Sequence, residues 1–348
     1  MSQFTGDGSP HLNHAIQECV IRADMSALPP PLPGKRRTDD LDALARKDVP
    51  IDMELLAALP TLPLRARYMV ESFLTGRHRS PIKGTAPEFA EYRTYQPGDE
   101  LRRIDWRLYG RSDRLQVKQF EDENQLRVCL ALDLSASLRY ASRPGLLSKS
   151  DFARTVLAAV ALLARRQHDA IGLALLGDDD PADAGLLDFM RPGSSAAHHH
   201  HVFNRLDAPP TVRTSDLPGG LRRLTSLLSG GGLVILASDF YTDLAELGRV
   251  LALFRSERLE FIGLQILDPM EVDFADATAG RFVDLENGAR MPINARAVRD
   301  GYLKRFTTYC RDLTDCCREH SADLVLLRTD SNPLDALTAY LARRSARA

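Results

Sequence analysis

The length and charge of the chain exclude several broad classes of protein. At 348 residues the chain is long enough for one large domain and a smaller one. Its 45 Lys and Arg residues nearly balance its 47 Asp and Glu residues, and the formal net charge of -2 gives no overall attraction to nucleic acid or to an anionic membrane. We therefore expect no nucleic-acid partner, and any charged partner must meet a local patch.

The cysteines and the apolar segments indicate where the protein works. The five cysteines are scattered and include no C-x-x-C pair, a pattern typical of reduced thiols rather than of a disulfide framework. The chain starts without a basic segment followed by an apolar core, and no later segment approaches ~18 uninterrupted apolar residues. These features predict a cytoplasmic protein without a membrane span.

The first third of the chain predicts a leader followed by a mixed extension. Residues 1–48 combine a proline cluster with charges of both signs, which predicts a flexible leader. Residues 49–125 form the extension, in which a helical pattern interrupted by Pro60 and Pro63 precedes a β-rich block with a Q-P-G-D turn.

Strands alternate with helical patterns over the remaining residues, 126–348. The predicted strands are RVCLALD, DAIGLALLG, GLLDFM, GGLVILASD, EFIGLQILD and ADLVLLRT. A helix follows the first strand, and Ser150 or Asp151 can cap its first turn. Near-continuous apolar strands separated by helices are typical of a mostly parallel sheet covered on both faces. We predict a three-layer α/β fold with a small β-rich N-terminal extension.

Oxygen-bearing side chains lie at the predicted ends of two strands. Asp133, Ser135 and Ser137 occur at the end of the first strand, and Asp239 follows another. Because parallel strands present their carboxyl ends at one edge of a sheet, these side chains are expected to converge. A loop just ahead of a predicted helix adds hydroxyl groups. The candidate metal ligands are Asp133, Ser135, Ser137, Thr214, Ser215 and Asp239. Such hard oxygen donors suit Mg²⁺.

Two parts of the sequence resemble known proteins. D-L-S-A-S at residues 133–137, a hydroxyl residue of R-T-S-D-L and the aspartate of A-S-D-F resemble the metal-ion-dependent adhesion site of von Willebrand factor type A domains. The upstream block EFAEYRTYQPGDELRRIDWRLYGRSDRLQVKQFEDE is similar to the signature of the bacterial family called domain of unknown function 58, which joins this block to a type A domain. Together the two resemblances cover most of residues 80–345.

The resemblance implies a protein-binding domain rather than an enzyme, with no catalytic residues. It implies that Ser135 and Ser137 bind Mg²⁺, or Mn²⁺ or Ca²⁺ in its place, directly, and that Asp133 and Asp239 bind it directly or through water. An Asp or Glu carboxylate of a protein partner then completes the metal shell. The implied partners are a MoxR-type AAA+ ATPase and other type A proteins, in the assembly or maturation of other proteins.

The third hydroxyl ligand is left open between two residues. The family pattern has a threonine directly before Asp-Leu, whereas this chain has Ser215 there and Thr214 one residue earlier. Either hydroxyl can serve as a metal ligand.

Several other interpretations compete with a metal site. Asp and Ser after a strand commonly form turn and cap hydrogen bonds, which would leave a metal-free scaffold of the same fold. A magnesium-dependent phosphohydrolase of the haloacid dehalogenase type also begins with an aspartate after a strand, but Ser135 stands where its second aspartate supplies a proton. The basic run around Trp106 is interleaved with acidic residues, which favours internal ion pairs. The His198–His201 run is interpreted as a surface feature that binds metals adventitiously.

Overall fold

The computed structural model describes residues 51–77, 92–94, 109–111, 116–118, 125–178, 184–209, 212, 214–228, 230–274, 280–283, 290–293 and 295–337. The chain divides into two compact units, one comprising the described parts of Met1–Gly76 and Leu126–Ala348 and the other those of Arg77–Gln125. The predicted leader, 1–48, lies outside the described residues. Its boundary and the one at residue 125 stay predictions.

The helices and strands follow the predicted alternation. The strands are β1 (Tyr92–Thr94), β2 (Gln116–Lys118), β3 (Arg127–Asp133), β4 (Ala170–Leu176), β5 (Leu186–Gly193), β6 (Gly232–Ser238), β7 (Leu259–Leu267), β8 (Gly280–Val283), β9 (Arg290–Ile293) and β10 (Asp323–Arg328). The helices are α1 (Met53–Ala58), α2 (Leu62–Arg77), α3 (Lys149–Arg166), α4 (Ala196–Asp207), α5 (Leu217–Leu227), α6 (Leu244–Ser256), α7 (Pro269–Asp273) and α8 (Ala295–Glu319). Within the described ranges, no helix is long and apolar enough to cross a membrane.

The second unit is β-rich where it is described. Strands β1 and β2 pair antiparallel, with Tyr92 opposite Lys118. Residues 109–111 form a helical turn. The Q-P-G-D turn and Trp106 lie outside the described residues.

A six-stranded sheet forms the centre of the first unit. Its strand order is β10-β7-β6-β3-β4-β5, and all neighbouring pairs are parallel except β4 with β5. Strand β3 lies between β4 and β6, and Leu132 of β3 is level with Ala237 of β6. Because the two strands run parallel, their carboxyl ends lie side by side at the same edge of the sheet.

Two apolar cores cover the two faces of this sheet, which confirms the predicted three-layer arrangement. Successive residues of β3 point to opposite faces, so that Leu130 and Leu132 enter one core and Cys129 and Ala131 enter the other. Helix α3 packs in the first core, and α5, α6 and α8 pack in the second. Each fully buried aliphatic side chain contributes about 1.5–3 kcal/mol to folding.

Helices α1 and α2 also belong to the first core. Leu56, Leu62 and Met69 are buried there together with side chains from β3 and α3. The sequence-based division grouped these two helices with the β-rich block, whereas they pack as part of the sheet-containing unit. Pro63 does not interrupt α2, because it lies in the first turn of the helix, where a proline removes no helical hydrogen bond.

Helix α3 begins slightly earlier than its predicted caps indicate. Ser148 is the N-cap, and its hydroxyl accepts a hydrogen bond from the Asp151 backbone N–H. Neither Ser150 nor Asp151 occupies the cap position, since both lie within the first turn. As a result Lys149 becomes the first residue of the helix, and its side chain is fully buried.

Candidate functional site

Asp133 and Asp239 lie together where β3 and β6 end. Asp133 is the last residue of β3, and Asp239 directly follows β6. Both carboxylates are almost fully buried, with 3% and 2% of their surface exposed. The Ser238 hydroxyl donates a 2.6 Å hydrogen bond to Asp133 Oδ2 and so links the two strand ends.

Hydrogen bonds fix the orientation of the Asp133 carboxylate. Its Oδ1 accepts the Ser135 backbone N–H at 3.0 Å, and its Oδ2 accepts the Ser238 hydroxyl. Burial and the nearby charge of Asp239 raise the pKa of Asp133 to about 6, although the hydrogen bonds from Ser238 and Ser135 and the neighbouring Ser215 hydroxyl oppose this rise. The ionised form of Asp133 is therefore destabilised by its surroundings, and a bound cation would stabilise it.

The two serines of D-L-S-A-S connect directly to the second carboxylate. The Ser137 hydroxyl donates a 2.7 Å hydrogen bond to Asp239 Oδ2 and lies 3.0 Å from the Ser135 hydroxyl. Because Ser137 has one hydroxyl hydrogen and gives it to Asp239, Ser135 must be the donor between the two serines. Both serine oxygens thus keep lone pairs that can bind a cation. A short 3₁₀ helix, Ala136–Arg139, holds Ser137 in this place.

The third loop brings Ser215, and not Thr214, to Asp133. The Ser215 hydroxyl lowers the pKa of Asp133, so it lies close to that carboxylate. Its Oγ is buried and has no hydrogen-bond partner among the described residues. Thr214 is exposed, and its carbonyl accepts the Asp178 backbone N–H at 2.9 Å. The Asp178 carboxylate in turn accepts the Asp216 N–H at 2.7 Å, which anchors this loop.

Lys149 is a central member of the site that the sequence motifs do not identify. Its Nζ donates to Asp239 Oδ2 at 2.9 Å and to Glu271 Oε1 at 2.7 Å. It also lies 5.4 Å from the centre of the Tyr241 ring, within the range of a cation–π contact. Burial alone would lower the pKa of Lys149, but the charges of Asp239 and Glu271 outweigh it and raise the pKa above its ordinary value. The ammonium group therefore stays charged inside the domain.

Glu271 extends the site to the segment that follows β7. It lies in α7 and forms a capping box with Asp268, whose backbone N–H donates to Glu271 Oε2 at 2.8 Å. Burial raises the pKa of Glu271, while the charge of Lys149 lowers it and that of Asp239 raises it again. The D-P-M-E pattern is a sequence signal for the start of this helix, but it does not reveal that Glu271 meets Lys149.

The backbone directly after Asp239 is strained, and hydrogen bonds from a side chain of α8 stabilise it. Phe240 has a left-handed backbone with φ of 60°, which costs a non-glycine residue about 1–3 kcal/mol. The Tyr309 hydroxyl lies within hydrogen-bond distance of the Phe240 and Thr242 carbonyl oxygens and accepts the Thr242 N–H at 3.1 Å. The Phe240 ring packs over Gly263 of β7, where an added Cβ would lie 2.7 Å from the ring. These contacts fix the turn that aims the Asp239 carboxylate.

The oxygen atoms of this site fit a hard divalent cation. Two buried carboxylates and three hydroxyls meet at the edge of the sheet, and one hydroxyl, that of Ser215, is buried without a partner in the described part of the chain. Mg²⁺ prefers such oxygen ligands and keeps some of its waters. No group of three or more His, Cys, Asp or Glu side chains in the described ranges could hold a metal. A metal at this edge would therefore depend on the serine hydroxyls together with the carboxylates.

The histidine run, which the sequence predicts to be a surface feature, lies on the surface only in part. His199 is buried, and His198 is partly buried, with its Nε2 2.7 Å from the Ile171 carbonyl oxygen. His200 and His201 are exposed. Helical geometry turns successive residues by about 100°, so the run is shared between the core and the solvent.

Together the fold and the site define an α/β domain that carries a buried, oxygen-rich site at the carboxyl edge of its sheet. The chain belongs to the family described as "Protein of unknown function DUF58", which matches residues 91–309. This assignment confirms the family that the upstream block predicted.

Known relatives and solved structures give the following similarities. The "Uncharacterized protein Rv1480" of Mycobacterium tuberculosis is 28% identical over 299 residues, which are 84% of this chain and 90% of that protein. Among solved structures, the conserved hypothetical protein BatB from Bacteroides thetaiotaomicron has a TM-score of 0.39 and 11% identity, over 64% of this chain and 99% of BatB. The SpRpn10 VWA domain has a TM-score of 0.33 and 11% identity, over 61% of this chain and 94% of that domain.

Proposed function

We propose that the protein is a non-enzymatic adaptor that binds a protein partner through a divalent metal at the carboxyl edge of its sheet. The observation that carries the proposal is the convergence of three loops on one point, where Ser135, Ser137 and Ser215 present hydroxyl oxygens beside two carboxylates. The buried Ser215 hydroxyl, which lacks a partner among the described residues, is the atom that a bound cation would satisfy.

Each residue of the site has a distinct part in this proposal. Ser135, Ser137 and Ser215 would hold Mg²⁺, or Mn²⁺ or Ca²⁺ in its place, and Asp133 and Asp239 would bind it directly or through water. When bound, the ion supplies a positive charge that a partner's Asp or Glu carboxylate can meet. The carboxylates of the site also orient the serine hydroxyls, as the 2.7 Å bond from Ser137 to Asp239 illustrates.

The family resemblance and the cysteines support our proposals for the partner and the location. The partner class that we propose is a MoxR-type AAA+ ATPase, together with other type A proteins, in assembly or maturation of client proteins. The four cysteines in the described residues are free, and we propose a cytoplasmic location, where thiols stay reduced.

The arrangement of Asp133 argues against a phosphohydrolase. In enzymes of the haloacid dehalogenase type a second aspartate lies two residues after the nucleophilic one, where this chain has Ser135. Ser135 cannot supply the proton that the second aspartate of such enzymes gives. A generic aryl phosphate assay tests this alternative: phosphate release by the pure protein that is absent from Asp133→Asn would overturn the adaptor proposal.

The first test of the proposal is a calorimetric titration of chelator-treated protein with Mg²⁺. Saturable binding that is lost in Ser135→Ala/Ser137→Ala is the expected result. The matched control is Ser226→Ala/Ser256→Ala, because both of these serines are exposed on helices, and among the described residues each donates to a carbonyl group of its own helix. This control should bind Mg²⁺ like the unmodified protein.

The second test is capture of a MoxR-type ATPase in Mg²⁺ and in chelator. The adaptor proposal expects capture that requires both the metal and the two site serines. Capture that is unchanged in chelator and in Ser135→Ala/Ser137→Ala would instead support a metal-free scaffold.

A further inference from the structure

Lys149 places a permanent positive charge beside the proposed metal ligands. The side chain is fully buried, and its Nζ shares Asp239 Oδ2 with the Ser137 hydroxyl. A lysine at the start of a helix faces the positive end of the helix dipole, so the charge has no support from its own helix. Its stabilisation comes from the carboxylates of Asp239 and Glu271.

Lys149 cannot itself receive a partner's carboxylate. An ammonium group has three donors, two of which point to Asp239 and Glu271, while the Tyr241 ring lies 5.4 Å away. No part of the side chain is exposed. Its effect on ligands must therefore act through the charge that it adds to the site.

We propose that the Lys149–Glu271 pair is a built-in counter-charge that weakens the site for free divalent cations. This inference rests on the proposed function, since it concerns the same metal site. The ammonium group and a metal ion would both draw on the Asp239 carboxylate, and two cations close together in a buried site repel each other. A partner's carboxylate adds the negative charge that offsets this repulsion. The site would thus hold its metal firmly only when the partner is present, and metal and partner would bind as a pair.

The position of the pair makes the proposal testable without a change in net charge. Lys149 contacts Asp239 directly, whereas Glu271 reaches the site through Lys149. Replacing both with neutral side chains of similar length, as in Lys149→Met/Glu271→Gln, removes one charge of each sign. Because the positive charge is the nearer one, the potential at Asp239 becomes more negative. Mg²⁺ binding should then become tighter, by roughly tenfold or more.

The test is a calorimetric Mg²⁺ titration of the full chain, with circular dichroism to establish that each variant is folded. Four proteins are compared: the unmodified protein, the double variant Lys149→Met/Glu271→Gln, and each of these two with Ser135→Ala/Ser137→Ala added. The expected result is tighter binding in the double variant and loss of that binding when the serines are also removed. Equal, weaker or undetectable binding in a folded double variant would overturn the inference.

The outcomes separate this inference from the proposed function. If serine-dependent binding occurs with the same affinity in both proteins, only the counter-charge inference fails. If Mg²⁺ binding in both proteins is insensitive to the serines, the metal site itself is refuted. Should the double variant not fold, Glu271→Gln alone serves as the second test. This variant removes the carboxylate charge of Glu271, so that the Lys149 charge is balanced by Asp239 only. Mg²⁺ binding should then weaken severalfold, because the site has lost one negative charge. An unchanged or tighter affinity would refute the inference.

Discussion

Removing the Lys149 ammonium should destabilise the domain strongly. Lys149→Met keeps most of the side-chain volume but leaves two buried carboxylates, those of Asp239 and Glu271, without their shared cation. Taking one partner from a buried ion pair typically costs about 3–5 kcal/mol. Glu271 keeps the Asp268 N–H at 2.8 Å and can take up a proton, so the loss should lie near the lower end, about 3 kcal/mol.

Urea unfolding followed by far-UV circular dichroism measures this loss. With a slope of about 3 kcal/mol per molar urea, the midpoint should fall by about 1 M. The matched control is Lys304→Met, the same substitution at an exposed position of α8, which should change stability by less than about 0.5 kcal/mol. A loss below about 1 kcal/mol for Lys149→Met, or one equal to that of the control, would refute the conclusion that Lys149 stabilises the buried carboxylates of Asp239 and Glu271. Lys149→Met/Glu271→Gln should recover part of the loss, since it leaves only one carboxylate without the ammonium.

Three further predictions test the carboxylate, the third hydroxyl and the strained turn. Folded Asp133 has a pKa raised from 3.8 to about 6, so it binds its proton more tightly than the unfolded chain does, and its contribution to stability falls as pH rises from about 4 to about 6. Urea unfolding in chelator should show this fall, up to about 3 kcal/mol, and Asp133→Asn should lack it; equal pH dependence in the two proteins would contradict the reasoning. Ser215→Ala should weaken Mg²⁺ binding about tenfold in calorimetry while Thr214→Ala leaves it unchanged, and the reverse order would assign the ligand to Thr214. Tyr309→Phe removes the hydroxyl that bonds to the left-handed Phe240 turn and should lower the free energy of unfolding by about 1–2 kcal/mol. An unchanged urea midpoint would show that this hydroxyl does not stabilise the turn.

The sheet and the strand-end residues were predictable because their signals are local. The interior of RVCLALD, from Val128 to Leu132, is uniformly apolar, as a strand covered on both faces must be, and these residues are buried in the structure. The strand period and the parallel order then place Asp133 and Asp239 at one edge without any further information. The exact start of a helix cannot be predicted from periodicity. Ser148 rather than Ser150 caps α3, and local propensity does not resolve this shift of two residues.

Contacts between distant segments could not be predicted in the same way. Lys149 and Glu271 are separated by 122 residues, and each has an ordinary local explanation as part of a helix start. Only the tertiary fold, which brings Glu271 of α7 next to the first residue of α3, places them in contact. The choice between Thr214 and Ser215 likewise depends on the Asp178 carboxylate, which anchors the loop that carries both.

The charge balance of the site links its pH dependence to its proposed metal. Asp133, Asp239 and Glu271 are three buried carboxylates, whereas Lys149 supplies a single buried cation, so full ionisation leaves an excess of negative charge. The domain can relieve this excess in two ways: by protonating a carboxylate, as the pKa of about 6 for Asp133 indicates, or by binding a cation. A divalent ion held by the serine hydroxyls would therefore compete with the proton on Asp133. Mg²⁺ affinity should accordingly fall as the pH drops below 6, and the pH-dependent loss of stability above pH 4 should shrink when Mg²⁺ replaces the chelator.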